Sequence, residues 1–320
     1  MSTKSRIRRS VGLGALLALS LTLQACGSHD DGQQSFETPE AAFEALVAAI
    51  EKDDVPAMNR LLGPGIEGLL ESGDAAEDRA GRARFVEAYR SGHALEDAGA
   101  DRRVLALGAE RWPFPIPAVL RDERWYLDGA EGADELVYRR IGNNELGAIA
   151  VLHGFVKAQQ EYAVEGRDGD PAGIYALKLV SDTGLHNGLY WPTAEGEPPS
   201  PSGAFIADAA AEGHRGARAP YHGYLYRMLY RQGPGAGGGA REYFADGVLT
   251  QGFALLAWPA TYEVSGVMTF MVNQDGTVFQ KDLGEDTAKA AEAISAFDPD
   301  SGWVPAVNAA ADSAPGTSAP

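Results

Sequence analysis

The stretch that most restricts how this chain can fold covers residues 135–162, ELVYRRIGNNELGAIAVLHGFVKAQQEY, the one long helical pattern in the middle of a sequence rich in turns and short strands. Projected at about 100° per residue, Ala148, Ile149, Val151, Leu152, Phe155, Val156, Ala158 and Tyr162 gather on one broad side, with His153, Lys157, Gln160 and Glu161 opposite. A helix with so wide an apolar arc has to lie along a sheet or in a groove. Over residues 144–162 it is about 28 Å long at 1.5 Å per residue. Gly147, Ala150 and Gly154 line its edge, and because glycine costs about 1 kcal/mol against alanine in a helix, they point to a close backbone approach there. Gln159 projects into the apolar arc, which suits a buried amide bonded to backbone better than a handle for a partner.

Downstream, the pattern is strands and turns. GIYALKLVS alternates, and Tyr224, Tyr226, Met228 and Tyr230 face opposite to Leu225, Arg227 and Leu229. Strong strands cover 252–258 and 267–273, and Asn273-Gln274-Asp275-Gly276 turns into 277–281 as a hairpin. A closing helix is predicted over 286–297. The Ala, Ser and Pro of 305–320 carry no core pattern, which predicts a disordered tail. QGPGAGGGA reads as a flexible glycine loop. It lacks the Lys-Ser/Thr of a phosphate loop and the strand and helix on either side.

Upstream, Thr38-Pro39-Glu40 starts a helix whose Phe43, Leu46, Val47 and Ile50 form one stripe. Pro56 breaks it, a short helix through Leu61 and Leu62 stops at Gly63-Pro64, and a third over 75–89 turns Phe85, Val86 and Tyr89 inward. Strands follow at 103–107, within PFPIPAVL and at 123–127, while 135–138 reads as a last strand or as the start of the long helix. Helices followed by a curling sheet make an α+β plan. TPEAAFEALVAAIEKDD and RWYLD resemble the cone-shaped fold named for nuclear transport factor 2. Enzymes of that fold use a His/Asp or paired-acid set inside the cup; His93, in a Ser-Gly-His turn near Asp97 and Asp101, reads instead as an exposed loop histidine, and Trp112 and Trp125 as packing residues.

Residues 1–25 read as an export signal: Lys4, Arg6, Arg8 and Arg9, an apolar run over 11–23, then Ala25 before Cys26, the only cysteine. Leu23-Gln24-Ala25-Cys26 resembles the lipobox of bacterial lipoproteins. That resemblance implies cleavage before Cys26, a diacylglyceryl thioether on its sulfur, and acylation (palmitate) of the new amino terminus, anchoring the protein to a membrane without a spanning helix. Gly27 and Ser28, in place of Asp, imply by the same resemblance the outer membrane, facing the periplasm. Residues 26–35 read as a flexible tether, with His29, Asp30 and Asp31 solvated. With Cys26 so used, no thiol remains for a disulfide, a thiolate metal site or a nucleophile. The formal charge is −18, and from Cys26 onward 23 cations face 45 acids, a net −22. Nucleic acid and a broad basic membrane face are disfavoured by that balance.

RRIGNNELGAI, AQQEYA, GLYWP, PYHGY, GFALLAWPA, SGVMTFMVNQDG and VFQKDLG resemble the motifs of the bacterial domain-of-unknown-function family numbered 2950, across nearly everything from Phe36 to Trp303. Within it, NNELGAIAVLHGFVKAQQEYA, then HGYLYRM, then SGVMTFMVNQDGTV are similar in order and spacing to type IV pilin and pseudopilin heads, where a long helix packs on an antiparallel sheet. These resemblances imply a cone-like domain over 36–138 and a pilin-like domain over 139–304. Pilins carry that helix fully apolar at the mature N-terminus. Here it is internal and amphipathic, so a pilin-like head reused as a module is expected, not a filament subunit.

HNGLYWP and PYHGYLYR concentrate aromatic and polar residues. If the two loops meet, Tyr190, Trp191, Tyr221, His222, Tyr224 and Arg227 form a rim for a peptide or glycan; sheet packing and turn structure use the same side chains equally well. There is no G-x-S-x-G elbow, no calcium loop and no acid/base pair picked out by spacing, so no catalytic residue, metal site or cofactor is assigned. The expected function is an envelope-anchored, non-enzymatic interaction module with an envelope protein partner in a pilus- or secretion-related setting. The alternative is a periplasmic ligand-binding or cell-wall-processing protein with a pocket in either domain.

Overall fold

Three helices begin the described part of the chain, which in this computed structural model covers residues 32–66, 68–193, 199–202 and 220–306. Cys26, the export signal and residues 307–320 lie outside it. Helix α1 (Pro39–Glu51) is capped by Thr38, whose Oγ1 accepts from the Ala41 N–H at 3.2 Å. Helix α2 (Val55–Leu62) is capped by Asp54, and α3 (Ala75–Ser91) by Asp74. Strands β1 (His93–Asp97), β2 (Arg102–Leu107), β3 (Trp112–Pro113), β4 (Ala118–Arg121) and β5 (Arg124–Leu127) form an antiparallel sheet in the order β1-β2-β4-β5, with β3 on β2. Phe43, Leu46, Met58, Leu105, Ile116 and Leu127 fill the space between helices and sheet, each almost wholly buried. Full burial of such a side chain contributes about 1.5–3 kcal/mol. His93 opens β1 opposite Leu107 instead of sitting in a turn, with its ring stacked on Tyr89 at 3.7 Å. Trp125 is buried in the core; Trp112 lies half-buried and donates to Glu110.

Part of the expected tether is sewn into this layer. Gln33 Nε2 donates to the carbonyls of Leu61 (2.9 Å) and Leu127 (2.6 Å), and Phe36 exchanges backbone bonds with Trp125 at 2.8 and 2.9 Å. Phe36 thereby covers the outer edge of β5.

Helix α4 runs Gly129–Val164, 36 residues and about 54 Å, so 135–138 is helical and not a strand. Asp128 caps it, accepting from the Glu131 N–H. Its first turns carry Gly129 and Gly132, residues that argue against helix on propensity. A Cβ at Gly129 would lie 2.5 Å from the Leu62 carbonyl oxygen, and one at Gly132 2.6 Å from Pro115. Close packing against α2 and the β3–β4 loop therefore demands glycine, and tertiary contact overrides propensity.

The second half of α4 lies on a sheet of order β16-β15-β14-β13-β8, antiparallel throughout. Its members are β8 (Tyr224–Leu229), β13 (Ala254–Pro259), β14 (Met268–Asn273), β15 (Phe279–Asp282) and β16 (Val304–Pro305). The parallel pair β6 (Lys178–Val180) and β7 (Gly188–Tyr190), and the short pairs β9 (Arg231–Gln232) with β10 (Arg241–Glu242) and β11 (Phe244–Ala245) with β12 (Val248–Leu249), lie outside it. Phe155 of α4 meets Phe253 edge-on at 5.5 Å. Helix α5 (Thr287–Ala293) packs on β13 from the other face and stops well before Phe297, which returns to pair with Gln232. Covered on both faces, β13 is buried at every residue. The predicted hairpin joins β14 to β15, Gly276 N–H donating to the Asn273 carbonyl at 3.0 Å. Val304 and Pro305 add β16, so order persists two residues into the expected tail. The glycine loop is tied down: Gln232 Nε2 donates to the Gly237 and Gly239 carbonyls, and Asp298 accepts from the Gly235 N–H.

The described residues form one compact unit. Among the described residues no helix is long and apolar enough to cross a membrane.

Candidate functional site

The six rim residues do not meet on one rim. Tyr224 is fully buried and its hydroxyl donates to the Met268 carbonyl at 2.9 Å. Register explains why: continuing the pairing of Ala257 with Phe270 by two residues sets Pro259 opposite Met268, and proline has no N–H to give. The phenol fills the place of the missing amide. Burial pushes its pKa far above the ordinary value of 10. Arg227 donates to the carbonyls of Ala291 (2.6 Å) and Ile294 (2.5 Å) at the end of α5 and lies over the Trp258 ring, 5.8 Å from its centroid. A cation is favourable where helix carbonyls lack partners.

Trp191 and Tyr190 belong to a group at the C-terminal end of α4. Asp168, with φ of 50°, accepts from the His186 backbone N–H (2.6 Å) and from its Nδ1 (2.7 Å). These bonds hold the Asp168 carboxyl below its ordinary range, so it stays an acceptor for both His186 groups. Trp191 is buried, edge-on to His186 at 4.7 Å, and the Arg167 guanidinium lies 5.4 Å from its ring and 5.7 Å from that of Tyr162. The Tyr162 hydroxyl donates to the His186 carbonyl at 2.6 Å. Trp191 is therefore packing, not an open platform. Tyr190 ends β7, half-buried.

Tyr221 and His222 lie far up the same helix. A Cβ at Gly147 would come within 3.0 Å of the His222 ring, so the close neighbour at this glycine is a side chain and not the backbone expected there. Gly147 and Tyr162 are about 22 Å apart along α4, which separates the two halves of the expected rim. His222 Nδ1 is 3.6 Å from Glu77, which Arg84 also contacts at 2.7 Å. The adjacent His222 imidazole, opposed by burial and aided by Arg84, lowers the Glu77 pKa to about 2.

Around this point polar side chains join the two cores. Asp74, buried, caps α3 through the Ala76 and Glu77 N–H groups and also accepts from the Gly223 N–H at 3.1 Å. Arg140 donates to the carbonyls of Gly68, Leu69 and Val264, and burial pulls its pKa down. Asn144 donates to the Ser265 carbonyl at 2.8 Å, and Glu145 accepts from Val267 and Met268 N–H groups at 3.0 Å. Their only sequence signal is a run of polar residues, RRIGNNE, entering an apolar helix. Gln159 behaves as expected, with its amide both donating to and accepting from the Ala176 backbone at 3.0 and 2.9 Å.

Among the described residues no three metal-ligating side chains cluster. Two open clefts of about 360 and 370 Å³ flank Ile294 and Ser295 on the α5 side of the second sheet. Neither contains the Asp168–His186 pair. What these arrangements do chemically is hold backbone: carbonyls and amides of distant loops are paired by Arg140, Asn144, Glu145, Gln159 and Arg227.

No curated protein and no solved structure matches the chain. Over residues 33–306 it matches the family model described as Protein of unknown function (DUF2950), and the chain belongs to that family.

Proposed function

We propose that this is an envelope-anchored lipoprotein that acts as a non-enzymatic interaction module, held at the outer membrane and facing the periplasm, in a pilus- or secretion-related setting. Its first half, 36–138, is cone-like in the manner of nuclear transport factor 2, and its second, 139–304, is a pilin-like head. The observation that carries the reading is the sole cysteine standing directly after an apolar run and Leu23-Gln24-Ala25. Supporting it, the side chains best suited to chemistry are spent on intramolecular backbone bonds, while Tyr138, Leu146, Tyr230 and Phe244 stay exposed. The alternative ligand-binding reading allows a pocket in either half, and one inside the first competes with a core filled by Phe43, Leu105 and Ile116.

Cells expressing the full chain should incorporate labelled palmitate and carry the protein in the membrane fraction, and Cys26→Ala should lose both. Photo-crosslinkers at Tyr138, Leu146, Tyr230 and Phe244 should trap a discrete envelope protein. Label that persists in Cys26→Ala sinks the anchor, and the absence of any cross-link sinks the module.

A further inference from the structure

The second sheet ends on β8, and hydrogen-bond parity decides which of its backbone groups face outward. The Ala260 N–H donates to the Gly223 carbonyl at 2.9 Å, so this pair is a hydrogen-bonded one. By alternation so are Leu225 with Trp258, Arg227 with Leu256 and Leu229 with Ala254. The N–H and C=O groups of Tyr224, Tyr226, Met228 and Tyr230 therefore point away from β13. Tyr224 uses both of its own with Tyr221, and the Tyr230 carbonyl accepts from the Tyr243 N–H at 2.9 Å. Tyr226 and Met228 have no backbone partner on that side among the described residues.

With the Tyr230 N–H, three donors and two acceptors thus stand in a row, closed at one end by Tyr221 and at the other by the bond from Tyr243 to the Tyr230 carbonyl. Edge strands are commonly guarded by proline, bulges or outward charges. YLYRML has no proline, and its one charge, Arg227, is turned into the carbonyls of α5. The cleft of about 370 Å³ is lined by consecutive residues of this same stretch, Met228 to Arg231, with Glu242 and Ile294 across it.

The geometry points to strand addition: a short extended segment of a partner protein pairs with β8 through Tyr226 and Met228 and directs a side chain into the cleft beside Tyr230 and Arg231. A second copy is disfavoured. Pairing β8 with itself about Arg227 would set Tyr230 of the other copy against Tyr224, where Tyr221 already sits, and each copy carries a net charge of −22 from Cys26 onward. A single narrow strand meets neither obstacle. This inference rests on the interaction-module reading and names its surface and its class of partner.

Amide exchange on the full chain in detergent micelles tests it. In the free protein, Tyr226 and Met228 should exchange about a hundredfold faster than Leu225, Arg227 and Leu229. A lysine-flanked Thr-Val-Thr-Val-Thr-Val peptide at millimolar concentration should slow both amides about tenfold, and the same peptide N-methylated at alternate residues should not. Met228→Pro, which removes an outward N–H only, should abolish the protection at Tyr226; if that variant fails to fold, the N-methylated peptide makes the same test from the ligand side. Slow exchange in the free protein, meaning that the chain fills its own edge, overturns the proposal. So does protection that rises with protein concentration alone, or a probe that changes nothing. None of these outcomes touches palmitate labelling at Cys26 or cross-linking elsewhere, so the anchored module can survive the loss of this edge.

Discussion

Glu77 stands where α3 meets the 221–223 turn, ionised between His222 and Arg84 with its side chain largely covered. With its pKa lowered from 4.5 to about 2, it contributes stability in full above pH 4.5 and gives it up as the pH falls from there toward 2. Denaturant midpoints should therefore drop through that acid window, and Glu77→Gln should flatten the drop by about 1–2 kcal/mol once solvent screening is allowed for. An unchanged acid limb in the variant would assign the acid sensitivity to other carboxylates. At this scale the chain is only partly legible. Gln159 could be read correctly because a lone amide inside an apolar arc has few alternatives to a backbone partner. Tyr224 and Arg227 could not, since their partners are a carbonyl opposite a distant proline and the end of a helix 64 residues away.

At the scale of elements, α4 shows where periodicity runs out. Its apolar arc from Ala148 to Tyr162 is visible because 3.6-residue spacing is a local signal. Its first two turns are not, because Gly129 and Gly132 serve contacts with Leu62 and Pro115 that no local pattern records. Gly132→Ala separates the two effects: propensity alone predicts a gain of about 1 kcal/mol, whereas a Cβ 2.6 Å from Pro115 predicts a net loss of about 1–3 kcal/mol. Urea unfolding gives the sign directly. Cys26 and the β8 edge belong to this scale too: one depends on a motif four residues long, the other on register between strands whose paired residues lie 25 to 35 apart in sequence.

For the whole molecule, the question is whether its two cores melt together. α4 enters the first with Leu136 packed against it and the second with Ala148, Leu152 and Phe155. Asp74, Arg140 and Asn144 stitch across the region between them. We expect coincident unfolding midpoints in variants that retain only Trp125 or only Trp258 as the fluorescent reporter; midpoints separated by more than experimental error would instead favour 36–138 and 139–304 as independent domains. The α+β class, the N-cap of α1, the alternating faces of β8 and the 273–276 hairpin were all determined by sequence, because each depends on neighbours within about one turn or one strand. Tertiary structure alone decided that the expected rim would be split about 22 Å along α4, that Tyr224 would stand in for a proline's missing amide, and that Arg140, Asn144 and Glu145 would reach loops over a hundred residues further on. Those pairings join atoms whose proximity is set by how sheet and helix pack, and nothing in the local chain encodes that distance.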